Sequence, residues 1–362
     1  MRWSIGIGKI FGIQFRIHLT FILLLFFIFM SGLSQYGPEK SFVAVLFICA
    51  VFITVLIHEI THSLIARRYG KEARSITLLP IGGVAAMEEM PEKPMQEILM
   101  SAGGPLINLV IAGILYLIIG NWSGIGVPNL YPESARAFFA GLIGINIILA
   151  IFNLVPAFPM DGGRVLRGIL AMRMGHTKAT SVAVSIGQAF AFFFIFFGLF
   201  FNLWLAIIGV FLYIGAGSEK QHVMLQTVLR RVKAREAMIT DYRSVKPEES
   251  LSKTLEHVYH GCQQDFPVVG KKGFEGILTR DRILAAIHEK GVEGTVADAM
   301  DRDFVAVSPF VSLDRIYKKI HSAGKTVAAV LSDEGLEGLV SLDGISRYFM
   351  IQSALKSIKV KA

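Results

Sequence analysis

The sequence has 362 residues, of which 53% are hydrophobic and only 18% are charged, and its mean hydropathy is +0.55. Soluble globular domains carry about 25% charged residues, so this composition excludes an ordinary soluble protein. The net charge of +8 suits nucleic acid or an anionic membrane surface, and the concentration of apolar residues in positions 1–217 favours the membrane, with no nucleic-acid partner.

Several stretches in this apolar region are long enough to cross a bilayer, which requires about 20 residues. They cover approximately residues 17–33, 41–66, 98–120, 136–157, 180–197 and 200–217. With six spans, both ends of the region lie on one side. That side receives most of the connecting Lys and Arg residues, among them Arg67, Arg68 and Lys71. The positive-inside rule therefore predicts a multi-pass protein of the cell (plasma) membrane, with its N terminus and tail in the cytosol.

The segment from Ser75 to Met87, between the second and third predicted spans, is apolar but too short and too rich in glycine and proline to cross. It predicts a small sheet or a re-entrant loop at membrane depth, where protein or a water-filled cavity satisfies its backbone. We expect its strand-like part, around Ile76 to Ala85, to pair with an extended substrate.

The second predicted span contains the sequence His58-Glu-Ile-Thr-His62. Residues four apart lie on one face of a helix, so both imidazoles can reach one ion. Glu59 follows the first histidine, in the position of a general base beside that ion. Zinc suits histidine nitrogen and lowers the pKa of bound water to about 7. The motif predicts one Zn²⁺ per chain, bound by His58 and His62, with Glu59 as a catalytic residue.

Other classes of protein also place ionisable side chains in a span, where unpaired groups cost several kcal/mol. A structural polar cluster or a proton path would do so. A transporter or channel and an inactive membrane scaffold are therefore the alternatives. The transporter or channel interpretation gives no reason for the spacing of the two histidines and the glutamate.

Catalytic zinc has a third protein ligand and an open position. The candidate is Asp161, in the sequence Asn153-Leu-Val-Pro-Ala-Phe-Pro-Met-Asp161-Gly-Gly-Arg164 at the end of the fourth span. The prolines interrupt the helix, and the Gly-Gly pair permits close approach of the backbone. An aspartate here is equally typical of a helix cap, so the spacing alone leaves both roles open.

The two motifs together resemble the site-2 protease family of intramembrane zinc metalloproteases, over residues 1–217. The resemblance implies zinc ligation by His58, His62 and Asp161, and a general-base role for Glu59. It also implies that Asn153 positions the substrate or helps to stabilise the oxyanion. Such enzymes cut membrane proteins within or near their transmembrane segments. The sequence Gly103-Gly104-Pro is also similar to the family, and we interpret it as close helix packing by small residues.

The tail contains an internal repeat with a constant offset of 62 residues. Ala237-Met238 recurs as Ala299-Met300, and Gly276-Ile-Leu-Thr279 recurs as Gly338-Leu-Val-Ser341. Each unit alternates β-like and helix-like runs, so we expect two α+β units that pack as a pseudo-symmetric pair. The repeat resembles a tandem pair of CBS domains, which often bind adenine nucleotides and regulate an attached domain.

This second resemblance implies ATP or AMP as a further ligand. Its candidate contacts are Thr279, Asp281, Ser341 and Asp343. Nucleotide-binding relatives commonly carry an aspartate three residues after the Thr or Ser, whereas Arg282 and Gly344 stand there in this chain. A purely structural tail, or one that forms a homodimer through the CBS pair, is the alternative.

The predicted fold is a polytopic α-helical membrane domain followed by a soluble α+β CBS pair. The first domain covers residues 1–217 and has about six transmembrane helices and a small membrane-associated β segment. A linker covers residues 218–235, and the CBS domains cover residues 236–291 and 292–362. The expected function is intramembrane hydrolysis of transmembrane protein substrates, regulated by adenine nucleotides. A CBS-regulated transporter or channel is the alternative.

Overall fold

The computed structural model describes residues 3–87, 91, 93–119, 128–261, 263–271, 273–291 and 294–361. The chain forms two compact units, Met1–Gln221 and His222–Ala362. The first unit contains a small sheet and the long apolar helices, and the second contains the repeat.

The sheet of the first unit has four strands, β1 (Ser4–Ile10), β2 (Ile13–His18), β3 (Ala73–Leu79) and β4 (Gly82–Met87), in that spatial order. β2 and β3 run parallel, and the other two pairs are antiparallel. Ile13 and Phe15 alternate inward along β2 and pack against Ile76. The small β segment predicted near Ser75–Met87 is confirmed, and the N-terminal hairpin enlarges it.

The helices that begin in this unit are α1 (Leu19–Arg68), α2 (Pro94–Ile119), α3 (Ala135–Leu154), α4 (Asp161–Met174), α5 (His176–Phe201) and α6 (Leu203–Arg231). All of them except α4 are long and apolar enough to cross a membrane. α1 is broken at Gly37, where φ is 79° and ψ is 174°, directly before Pro38. Proline cannot continue the helical hydrogen bonds of the preceding turn, so α1 is two apolar segments. The described helices therefore give the predicted number of about six.

A buried group of charged side chains holds α4 in place. Arg167 Nε donates to Glu97 Oε1 on α2 at 2.6 Å, and Arg167 Nη1 donates to Glu219 Oε1 on α6 at 2.8 Å. The guanidinium carbon also lies 5.0 Å from the centre of the Phe158 ring. Arg167 is 1% exposed and Glu97 is fully buried. Charges this deep persist only when paired, so α4 is tied to two neighbouring helices.

Arg167→Met removes the cation from this group and leaves the Glu97 carboxylate buried without it. Breaking a buried ion pair costs about 3–5 kcal/mol, so we expect a clear loss of thermal stability in detergent. Arg173→Met, on the exposed side of the same helix, is the matched control and should change the midpoint little. Equal midpoints for the two variants would contradict the structural role of Arg167.

The second unit repeats one set of elements. The first set is α7 (Ala234–Ala237), α8 (Leu251–His260), β5 (Asp265–Gly270), β6 (Gly273–Thr279) and α9 (Arg280–Lys290). The second is α10 (Val296–Ala299), β7 (Val305–Val307), α11 (Leu313–Ser322), β8 (Val327–Ser332), β9 (Gly335–Ser341) and α12 (Leu342–Lys361). Leu251 and Leu313 begin equivalent helices at the predicted offset, and each lies in a separate hydrophobic core. The predicted α+β pair is confirmed.

Candidate metal centre

The two histidines and the aspartate predicted from the sequence meet in the interior of the first unit. His58 and His62 lie one turn apart on α1, with their Nε2 atoms 3.0 Å apart. Each Nε2 is also 3.2 Å from Asp161 Oδ2. Both histidines are 6% exposed. The structure therefore brings together three side chains from elements about 100 positions apart.

The hydrogen bonding of His62 determines which of its nitrogens faces the cluster. Its Nδ1 lies 2.7 Å from the carbonyl oxygen of Met100 on α2. A carbonyl only accepts, so Nδ1 carries the proton and Nε2 presents a lone pair. Metal-ligating histidines are typically oriented in this way by a hydrogen bond from the other ring nitrogen.

The spacing of the three donor atoms fits a zinc ion. Bonds of about 2.0–2.1 Å in tetrahedral geometry separate neighbouring ligand atoms by about 3.3 Å. The three observed separations are 3.0–3.2 Å. Three electron-pair donors at these distances repel one another unless a cation or proton lies between them. Two imidazoles, one carboxylate and an open fourth position are a typical donor set for catalytic zinc.

Asp161 reaches the histidines because the chain turns tightly between α3 and α4. It is the first residue of α4, and Met160 occupies the cap position. A Cβ atom on Gly162 would lie 2.3 Å from the Val155 carbonyl oxygen, and one on Gly163 would lie 2.6 Å from the Phe158 nitrogen. Only glycine fits at both positions, as the sequence predicted. Asp161 is thus both a helix-start residue and a member of the cluster.

Glu59 and Asn153, the two other predicted catalytic residues, lie on different helices. Glu59 follows His58 on α1 and lies against β4, where a Cβ atom on Gly83 would be 2.8 Å from Glu59 Cγ. Asn153 is in the last turn of α3 and is partly exposed. It therefore stands at the start of the same turn that carries Asp161.

Gly104 belongs to the metal centre, which sequence reasoning missed. A Cβ atom at this position of α2 would lie 2.3 Å from His62 Nε2 and 2.5 Å from His58 Nε2. The neighbouring Gly103 instead faces Ile65. Close helix packing was the right interpretation of the Gly-Gly pair, but the surface packed against Gly104 is the pair of imidazoles. Only its position in the tertiary structure reveals this role.

Gly104→Ala should displace both imidazoles, because no real Cβ contact is as short as those it would make. Misplacement of reacting groups by about 1 Å costs about 10²-fold in rate, so we expect metal content and proteolysis to fall together. Gly113→Ala on the same helix is the control, since a Cβ atom there has nothing within 4 Å. Metal analysis and cleavage of a membrane-tethered substrate provide the measurements. Full metal content and activity in Gly104→Ala would show that this packing is wrong.

The second unit contains a cavity of about 240 Å³. Its lining consists of Ile239, Asp241, Tyr242, Gln263, Gln264, Asp265, Leu339, Ser341, Asp343 and Arg347. Two of the four predicted nucleotide contacts, Ser341 and Asp343, are therefore in the lining. Burial, together with the carboxylates of Asp343 and Asp281, raises the pKa of Asp265 to about 6.

The other two predicted contacts, Thr279 and Asp281, are not among the residues that line this cavity. Thr279 caps α9, where its hydroxyl accepts from the Arg282 N–H at 3.3 Å. Asp281 has a side chain that is 78% exposed, and its carboxylate lies 3.6 Å from Arg280 Nε. The observed role of Thr279 is thus the local capping that strand-end hydroxyls commonly provide.

Comparison with known proteins agrees with both halves of this architecture. Peptidase family M50 matches residues 46–133 and 124–196, and the CBS domain matches residues 234–289 and 296–351. A zinc metalloprotease of Methanocaldococcus jannaschii is 36% identical over 99% of this chain and 100% of its own length. A Synechocystis protein whose name proposes zinc metalloprotease activity is 31% identical over 66% of this chain and 65% of its own.

Among solved structures, a site-2 protease from Methanocaldococcus jannaschii matches 60% of this chain and 95% of its own chain. The sequence identity is 36% and the TM-score is 0.42. The full-length sequence match shows that this chain belongs to peptidase family M50, as a site-2 type zinc metalloprotease that carries a tandem CBS pair. The family implies Zn²⁺ as the metal. The predicted metalloprotease class is confirmed over the transporter, channel and scaffold alternatives.

Proposed function

We propose that the protein hydrolyses peptide bonds in or near the transmembrane segments of membrane proteins. The convergence of His58, His62 and Asp161 inside a unit made of bilayer-length helices supports this proposal above all. The protein would lie in the plasma membrane with its N terminus and tail in the cytosol. The distribution of Lys and Arg along the sequence supports that orientation.

Each residue of the centre has a distinct proposed role. His58, His62 and Asp161 hold one Zn²⁺, which when bound supplies a Lewis acid for the scissile carbonyl and for water. Glu59 accepts the proton that the attacking water loses and returns it to the leaving amine. Asn153, at the start of the turn that carries Asp161, positions the substrate backbone.

The proposed site lies inside the bilayer and nearer to the cytosol. His58 precedes Arg67 by nine residues of helix, which at about 1.5 Å per residue is about 13 Å. The basic end of α1 would mark the cytosolic surface, so water for hydrolysis enters from that side. A transmembrane substrate must unwind locally before its carbonyls become accessible, since helical carbonyls are hydrogen-bonded and shielded.

β4 is the element suited to hold such an unwound substrate. β3 is paired on both sides, whereas β4 pairs only with β3 among the described strands. Its outer edge therefore has backbone groups available for an added strand. Gly83 on β4 lies against Glu59, so a strand added at this edge would run beside the general base. We propose substrate binding at β4 by strand addition.

Single proline substitutions at Val84 and Ala85 test strand addition. The N–H groups of successive residues point to opposite sides of a strand, so one of the two substitutions removes an outward donor and leaves the β3 pairing intact. Loss of one such hydrogen bond costs about 1.4 kcal/mol, so we expect about tenfold slower cleavage with metal retained. Ile7→Pro, in the bulge of the opposite edge strand β1, is the control. Unchanged cleavage in both β4 variants would exclude this binding mode.

Glu59→Gln tests the enzymatic role directly. The amide keeps nearly the same shape but cannot accept a proton, so we expect cleavage of a membrane-tethered substrate to fall by about 10²–10⁴-fold. Metal analysis should still show one zinc per chain, because Glu59 is not among the proposed ligands.

A chelator should abolish cleavage by the unsubstituted protein, and added zinc should restore it. Undiminished cleavage by Glu59→Gln would remove Glu59 from the mechanism. A metal-free protein that still cleaves would remove zinc chemistry as a whole.

For the tail, we propose that an adenine nucleotide binds in the cavity lined by Ser341 and Asp343 and alters the cleavage rate. The cavity of the second unit and the match to tandem CBS domains support this assignment. ATP and AMP should each be added to the full-length enzyme during cleavage. A purely structural tail, or one that only joins two chains into a homodimer, predicts the same rate with and without nucleotide.

A further inference from the structure

The two CBS modules are related by an offset of 62 residues, so each residue that lines the cavity has a counterpart in the other module. Equivalent pairs of backbone hydrogen bonds join the two modules at two related places. Ile239 exchanges backbone hydrogen bonds with Leu339 at 2.9 and 3.1 Å, and their counterparts Asp301 and Ile277 do so at 2.8 and 3.0 Å. The backbone hydrogen bonding of the pair is therefore two-fold symmetric beside the cavity, which Ile239 and Leu339 line.

The side chains around these equivalent bridges differ. Gln263 borders the cavity and uses its side-chain amide locally, donating to the carbonyl oxygens of Arg243 at 2.9 Å and Asp265 at 2.8 Å. Asp343 lies beside it in the lining and presents a carboxylate. Gly344 follows and has no side chain. The half of the pair that contains Gln263, Ser341 and Asp343 therefore has an open cavity that reaches Ser341.

In the other half, Lys325 stands at the position of Gln263. Its Nζ donates to Asp301 Oδ2 at 2.6 Å and lies 3.5 Å from Asp303 Oδ2. The hydrogen bond to Asp301 raises the pKa of Lys325, so the ammonium stays charged. Arg282, the counterpart of Gly344, adds a guanidinium 3.6 Å from the same Asp301 oxygen. Two long cationic side chains thus stand at the positions equivalent to Gln263 and Gly344, and both are paired with Asp301.

We propose that the tail binds a single nucleoside-containing ligand per chain, at Ser341 and Asp343, because the symmetry-related half is closed by its own Lys325–Asp301 ion pair. This inference rests on the nucleotide site of the proposed function and adds its stoichiometry and the class of ligand. The ligand should be a nucleoside or nucleoside monophosphate.

The charges of the open cavity support this ligand class. Asp241, Asp265 and Asp343 line it with carboxylates, and Arg347 is the single cation among the described residues of the lining. A carboxylate readily accepts hydrogen bonds from the two hydroxyls of a ribose. A triphosphate would place several negative charges near these carboxylates, and like charges repel strongly where water is partly excluded. One guanidinium suits one phosphate.

Titration calorimetry on the full-length protein in detergent, with adenosine, AMP and ATP as probes, tests the proposal. We expect one site per chain for adenosine or AMP, and at least tenfold weaker binding of ATP. Asp343→Asn should weaken binding at least tenfold. Its symmetry counterpart, Asp281→Asn, should change affinity by less than twofold. The double variant Lys325→Gln/Arg282→Gly should gain a second site.

The outcomes separate this inference from the function on which it rests. Two sites per chain in the unsubstituted protein, or an equal loss in Asp281→Asn and Asp343→Asn, would overturn the single-site proposal while keeping nucleotide binding. Tighter binding of ATP than of AMP would overturn the ligand class. No binding of any probe by the unsubstituted protein would overturn nucleotide binding itself, and the single site with it.

Discussion

The cost of burying an ionisable group without a partner is the constraint on which this architecture depends. In a water-poor interior an isolated charge costs far more than a protein's net stability, so such groups survive only when paired or bound to metal. The first unit buries two imidazoles beside one carboxylate and one guanidinium between two carboxylates. Each group draws together helices that are distant in sequence. The same requirement that makes the zinc site feasible therefore also builds the scaffold around it.

The two buried groups are structurally connected through α2 and α4. α4 begins with Asp161 and carries Arg167 less than two turns later. α2 carries Glu97, the partner of Arg167, and three residues later Met100, whose carbonyl orients His62. The ion pair thus holds the helix that presents the carboxylate against the helix that orients an imidazole. Zinc sites depend on such supporting contacts nearly as much as on the ligands themselves.

The parts of the site that could be predicted from sequence are those with a local signature. The HExxH spacing places His58, Glu59 and His62 on one helix, and the Pro and Gly residues around Asp161 predict a tight turn. Gly104 and Arg167 carry no such signature, because their roles come from contacts with residues far along the chain. The N-terminal hairpin was missed for a related reason. Its first strand is exposed and rich in glycine, and it is stabilised by the parallel pairing of β2 with β3.

The tail shows a different limit of prediction by pattern. A repeat of constant offset predicts two equivalent ligand sites, since the backbone positions of Thr279 and Ser341 are equivalent. Equivalence of backbone does not extend to side chains that enter the site from other elements. Lys325 and Arg282 stand where Gln263 and Gly344 stand in the related half, and both pair with Asp301, whose own counterpart is Ile239. Asymmetry of this kind lets one module of a duplicated pair bind a ligand while the other contributes stability.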